Sequence, residues 1–152
     1  MVGIIFNKLI FIRDFCKFRC GKLVIAHVAK AMSGGYDPHD DIYPVAQRVL
    51  KSNGHSACNL VSKSWDHLAA WGPDVVITIG DEVLKQKCPT FVGTSVHVLW
   101  SIPDPANKFG NMENNFNETL RIIEKRIKKI FKEDMSVMDK TALREHLKKA
   151  TQ

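Results

Sequence analysis

The chain has 152 residues, 45% of them hydrophobic and 25% charged, with a formal net charge of +6. That is the composition of an ordinary globular domain, long enough to bury roughly two-thirds of its unfolded surface, and it excludes a disordered or membrane-spanning chain. Half of the ten Lys/Arg from Arg121 onward are unopposed by the five Asp/Glu of the same stretch, so the positive charge is local.

The apolar run Leu9-Ile10-Phe11-Ile12, interrupted upstream by Lys8 and followed by Arg13-Asp14, lacks a small-residue cleavage pattern, which speaks for a first strand ending at Phe15 rather than a signal peptide. Cys16 to Lys22 is polar and turn-like. Leu23 to Met32, with Ala26, Ala29 and Ala31, has helical length and stops at Ser33-Gly34-Gly35, so strand, loop and helix are expected in that order. A helix is expected over Ile42 to Ser52, capped by Asp40 or Asp41 and ended by Asn53-Gly54. Ser64 to Trp71 reads as a short helix closed by Gly72-Pro73. Asp74 to Gly80 is a β-branched run without polar alternation, the pattern of a strand covered on both faces. Asp81 to Lys87 fits a helical turn stopped at Cys88-Pro89, and Val96 to Trp100 a further buried strand. Glu113 to Lys132 carries Phe116, Leu120, Ile123, Ile127 and Ile130 at helical spacing, and a basic terminal helix is expected beyond Met135. The order calls for an α/β fold with a parallel sheet, residues 1–134 forming the domain and 135–152 a helical extension.

The segment with the most chemical content is Trp100-Ser101-Ile102-Pro103-Asp104-Pro105-Ala106. Prolines on both sides leave Asp104 few backbone choices, and it follows a strand whose carboxyl end is where open α/β sheets place ligands. A plain turn with a capping Asp is the competing reading. Cys16 and Lys22 bracket five residues between the first strand and the expected helix, where backbone N–H groups and a helix dipole would face an oxyanion and sharpen a thiolate. The cysteines are Cys16, Cys20, Cys58 and Cys88; without a secretory signal they are expected to be reduced in a cytoplasmic protein. The six histidines show no zinc-ligand spacing, so no metal site is expected. The basic C-terminal region lacks interleaved aromatics and reads as a solvated face, leaving neither a membrane nor a nucleic-acid partner indicated by the sequence.

As a set, DIYPVAQRVLKSNG, GPDVVITIGDE, CPTF, HVLWSIPDPA and the closing amphipathic helix resemble the low-molecular-weight protein tyrosine phosphatase superfamily, in particular its thioredoxin-coupled arsenate reductase branch, from about Leu9 to Phe131. The resemblance implies a three-layer sandwich around a four-stranded parallel sheet, three-stranded if the edge strand between Met32 and Ile42 is lost. It casts Cys16 as nucleophile, Asp104 as general acid and Cys88 as a late redox cysteine. Lys22, with Arg19 and Gly21, would hold the oxyanion, and Cys20 could act as a resolving thiol. The implied substrates are arsenate, phosphate or phosphotyrosine, with no bound cofactor and thioredoxin or a small thiol as the external reductant.

The loop departs from the family pattern C-x-G-N-[ST]-x-R-S, reading Cys16-Lys17-Phe18-Arg19-Cys20-Gly21-Lys22-Leu23. Lys22 replaces a planar bidentate fork by a point charge. Gly80 or Asp81 stands where the reductases carry their middle cysteine. Three functions follow: an arsenate reductase-like enzyme, a low-molecular-weight tyrosine phosphatase, or a catalytically inactive relative that acts by binding or regulation.

Overall fold

A computed structural model of the chain describes residues 8–20, 23–35, 41–57, 60–80 and 95–151. Seven elements run in the order β1 (Lys8–Cys20), β2 (Leu23–Gly35), α1 (Pro44–Ser52), β3 (Val75–Ile79), β4 (Val96–Trp100), α2 (Met112–Ile130) and α3 (Lys140–Lys149). Short 3-10 helices cover Trp65–Trp71 and Met135–Val137.

β3 is a run of Val, Ile and Thr, and its burial on both faces accounts for the absence of polar alternation. Val75, Ile77 and Ile79 face a core shared with α1, α2 and α3, whereas Val76 turns the other way, to Trp65 and Leu68 of the 3-10 helix. β4 pairs with β3 in parallel, Val75 opposite Val96 and Ile79 opposite Trp100. Its Val96, Val98 and Trp100 are buried while His97 and Leu99 are exposed, the period of two expected of a strand with one covered face.

The expected α/β class and phosphatase-like layering hold, with the helices collected on the sheet around one apolar cluster. The strand pairing is a correction. The sheet order is β2-β1-β3-β4, and β1 is antiparallel to both of its neighbours, so the sheet is mixed rather than all parallel. A second correction concerns Leu23 to Met32, expected as a helix and found in β2. Val24, Ile25 and Val28 are β-branched, and the adjacent β1 offers thirteen residues of backbone with which to pair; tertiary pairing overrides the alanines of that stretch.

α1 begins at Pro44, whose fixed φ and missing N–H suit the first helical position, and its N-cap is Tyr43 without a side-chain bond rather than the expected Asp41; Asp40 lies outside the described residues. α1 and α2 are tied by Asn53 Nδ2 donating to Asn117 Oδ1 (2.8 Å), by His55 Nε2 against Glu124 Oε1 (2.6 Å) and by Tyr43 stacking on Phe116. α2 is capped by Asn111, whose side chain accepts from the Asn114 N–H. α3 is capped by Asp139 and buries Leu143 and Leu147 in the main core, so the C-terminal helix is part of the same packed body. The expected helical turn over 81–87, together with Cys58, lies outside the described residues.

Candidate functional site

β3 and β4, being parallel, end at the same edge of the sheet. The Gly80 N–H donates to the Trp100 carbonyl (3.2 Å), closing that edge, and Gly80 takes φ +97°, a conformation glycine adopts without steric cost. Past Trp100 the chain stays anchored by Ile102, 1% exposed, before the Pro103-Asp104-Pro105 turn. Asp104 is half-buried there. Its Oδ1 accepts from the Ala106 N–H (2.9 Å), its Oδ2 from Asn107 Nδ2 (3.3 Å), and its carbonyl from the Asn107 N–H (3.1 Å). Asn115 of α2 reaches back and donates to the Lys108 carbonyl (3.0 Å), pinning the loop to the helix. The carboxylate thus organises its own turn, as short Asp side chains do, while remaining at the carboxyl ends of the parallel pair.

Below this loop the fully buried Trp100 carries the guanidinium of Arg126 5.6 Å from its ring centroid, a cation–π distance. Trp100 Nε1 and Arg126 Nη1 are both buried and have no acceptor among the described residues, and burial lowers the Arg126 pKa from its usual value. Sequence reading passed over Arg126. Its signal was positional: three residues after Ile123 and four before Ile130, it sits on the apolar stripe of α2. On the opposite, more exposed face of β4, partial desolvation of the ring and the nearby Arg144 charge lower the His97 pKa below the usual histidine value.

The cysteine half of the expected site lies elsewhere. β1 meets β3 only over Lys8 to Ile12, with Lys8 opposite Ile79 and Ile12 opposite Val75. Cys16, Arg19 and Cys20 therefore extend past the amino end of β3, on an arm paired with β2: Cys16 opposite Val28 and Cys20 opposite Leu23. The residues expected to form an oxyanion loop from Cys16 onward belong to this hairpin as far as Cys20, because β1 continues five residues beyond the expected strand end. From Lys8, level with the carboxyl ends of β3 and β4, to Cys16 is eight strand residues, about 27 Å at roughly 3.4 Å each. The register does not bring Cys16 and Asp104 together. Gly21, Lys22 and Cys88 lie outside the described residues.

A family model for the low molecular weight phosphotyrosine protein phosphatases matches residues 19–148, most of the chain. The chain belongs to that family. No curated protein matches it. The match takes in the Asp104 turn and α2 together with Arg19, Cys20 and Lys22, and begins three residues after Cys16. Among the described residues no helix is long and apolar enough to cross a membrane.

Proposed function

We propose that this chain is a member of the low-molecular-weight phosphatase family that works by binding rather than by turnover. One observation carries the reading: the β1 register runs Cys16 away from the Asp104 edge along the hairpin. A thiolate displacing an oxyanion needs the acid that protonates the departing oxygen within hydrogen-bond reach of that oxygen, about 3 Å. A separation of some eight strand residues cannot meet that requirement. The carboxylate's two intraloop bonds and the point charge of Lys22 in place of a guanidinium fork support the same reading.

Turnover of p-nitrophenyl phosphate, and of arsenate with thioredoxin or a small thiol, tests it. Wild type, Cys16→Ser and Asp104→Asn should all sit at background, and Cys16 should alkylate near pH 6 no faster than an ordinary thiol. Activity abolished by Cys16→Ser would overturn the proposal.

A second reading, an arsenate reductase-like enzyme, draws on the other edge. Asp104 is held beyond the carboxyl ends of β3 and β4, and Cys88 stands in the sequence between those two strands, outside the described residues. Ala106 after the Asp-Pro pair leans toward the reductase branch over the tyrosine phosphatases. In that chemistry a cysteine thiolate displaces an oxygen of arsenate as water. A second thiol then attacks the cysteine sulfur, and the electron pair of the sulfur–arsenic bond reduces As(V) to As(III) while a disulfide forms. The same assays separate the two enzymes by substrate.

A further inference from the structure

Half of the ten Lys/Arg from Arg121 onward, which the sequence alone presents as a solvated face, gather into a single stripe on α2 and just past its end. Arg121, Lys125, Lys128, Lys129 and Lys132 recur at three- and four-residue steps, and together with Glu124 they line an open groove of about 500 Å³. Glu124 is the one acid among them, and its carboxylate is engaged by His55 at 2.6 Å. The remaining carboxylate pairs near this end of the molecule go to Lys108, His146 and Lys148. Among the described residues none of the five cations of the stripe has an ion-pair partner.

We infer that this face of α2 binds the phosphate backbone of a nucleic acid, without reading its sequence. Charge spacing favours that occupant. From Arg121 to Lys129 four cations occupy about 12 Å of helix axis, an average step of about 4 Å, comparable to the one phosphate per ~3.4 Å of a single nucleic-acid strand. The stripe also lacks what other anionic partners require. An interfacial membrane helix inserts exposed apolar side chains, whereas the apolar face of α2 is spent in the core on Phe116, Leu120, Ile123 and Ile130. A protein interface is centred on buried aromatic or aliphatic anchors. No large exposed hydrophobic side chain lies between Arg121 and Lys132. Binding driven by counterion release needs only the charges. The inference does not depend on whether the family site is catalytic, since the stripe shares no residue with the Asp104 loop.

The full-length chain is titrated into fluorescein-labelled mixed-sequence oligonucleotides, single-stranded and duplex, with anisotropy followed over a range of salt. Binding is expected in low salt, with log K against log[salt] falling with a slope of about −4 on duplex, the value for four to five neutralised phosphates. The double reversal Lys125→Glu/Lys128→Glu should weaken binding roughly tenfold or more and flatten that slope, whereas Lys140→Glu, off the stripe, should leave both unchanged. A circular-dichroism melt confirms that the exposed reversals leave the fold intact. Absence of binding up to about 100 µM at roughly 50 mM salt overturns the inference. So does binding indifferent to the double reversal, or capture by phosphatidylserine vesicles or an acidic peptide without capture by either oligonucleotide.

Discussion

The two ends of this sheet differ in how many elements hold each residue in place. At the carboxyl edge of β3 and β4, Trp100 is packed by helices, Gly80 is bonded to it across the strands, and the Asp104 loop is pinned by Asn115. On the outer arm of the hairpin, residues 13–20 pair with β2 and lie beyond the stretch that meets β3. The first region is specified several times over, whereas among the described residues the second shows one ladder with two register shifts, between Arg13 and Cys16 and between Phe18 and Arg19. A catalytic site needs its groups held to a fraction of an ångström, and the over-determined end is the one that carries Asp104.

The sharpest test of the contrast is Trp100→Ala, which empties a fully buried aromatic position and should cost about 3–5 kcal/mol by chemical denaturation. Lys30→Ala, exposed on β2 opposite Arg13, should stay within about 1 kcal/mol; equal losses at the two sites would erase the distinction. Next comes Gly34, at the inner end of the hairpin. A Cβ there would lie 2.8 Å from the Trp65 Cα and 3.1 Å from Leu68 Cδ1, and the backbone atom cannot step aside. Gly34→Ala should therefore destabilise by about 1–3 kcal/mol, read as a lower denaturation midpoint at unchanged slope.

Asp104→Ala removes the acceptors for Ala106 and Asn107 and should cost about 1 kcal/mol, with Asp104→Asn costing less because its amide oxygen can still accept from the Ala106 N–H. If the carboxylate serves the turn alone, neither change alters turnover. The smallest effect is the pH response of His97. Its pKa in the folded chain lies below the ordinary 6.5, so on acidification the unfolded chain takes up the proton first. Stability from this residue is complete above about pH 6.5 and declines as the pH falls from there toward the folded pKa. Melts of His97→Gln should lose that part of the slope, and an unchanged slope would remove His97 as its source.

Legibility in the sequence follows the same divide. β4 matches its expected limits at both ends, β3 differs by one residue at each, and α2 by one at its start and two at its end. In each the hydrophobic period and the flanking turn residues agree with the final environment. Leu23 to Met32 is a strand and not the expected helix because alanines and β-branched residues are mixed there, and a segment so balanced takes the state its neighbour stabilises. At the site, Asp104 was legible because two prolines and a preceding strand define its surroundings locally. Arg126 was overlooked among the cations of α2, and only packing shows that it alone lies against Trp100.

What the sequence determined by itself was the set of elements with one unambiguous period, the family to which their motifs belong, and the rigid turn that carries Asp104. Those features depend on torsional limits and periodicities that act over a few residues. The tertiary structure alone decided that β1 runs antiparallel between β2 and β3, that Cys16 leaves the Asp104 edge, and that Arg121, Lys125, Lys128, Lys129 and Lys132 share one face without a carboxylate partner among the described residues. Pairing direction, register and charge neutralisation depend on residues distant in the chain, and a local pattern contains no record of them.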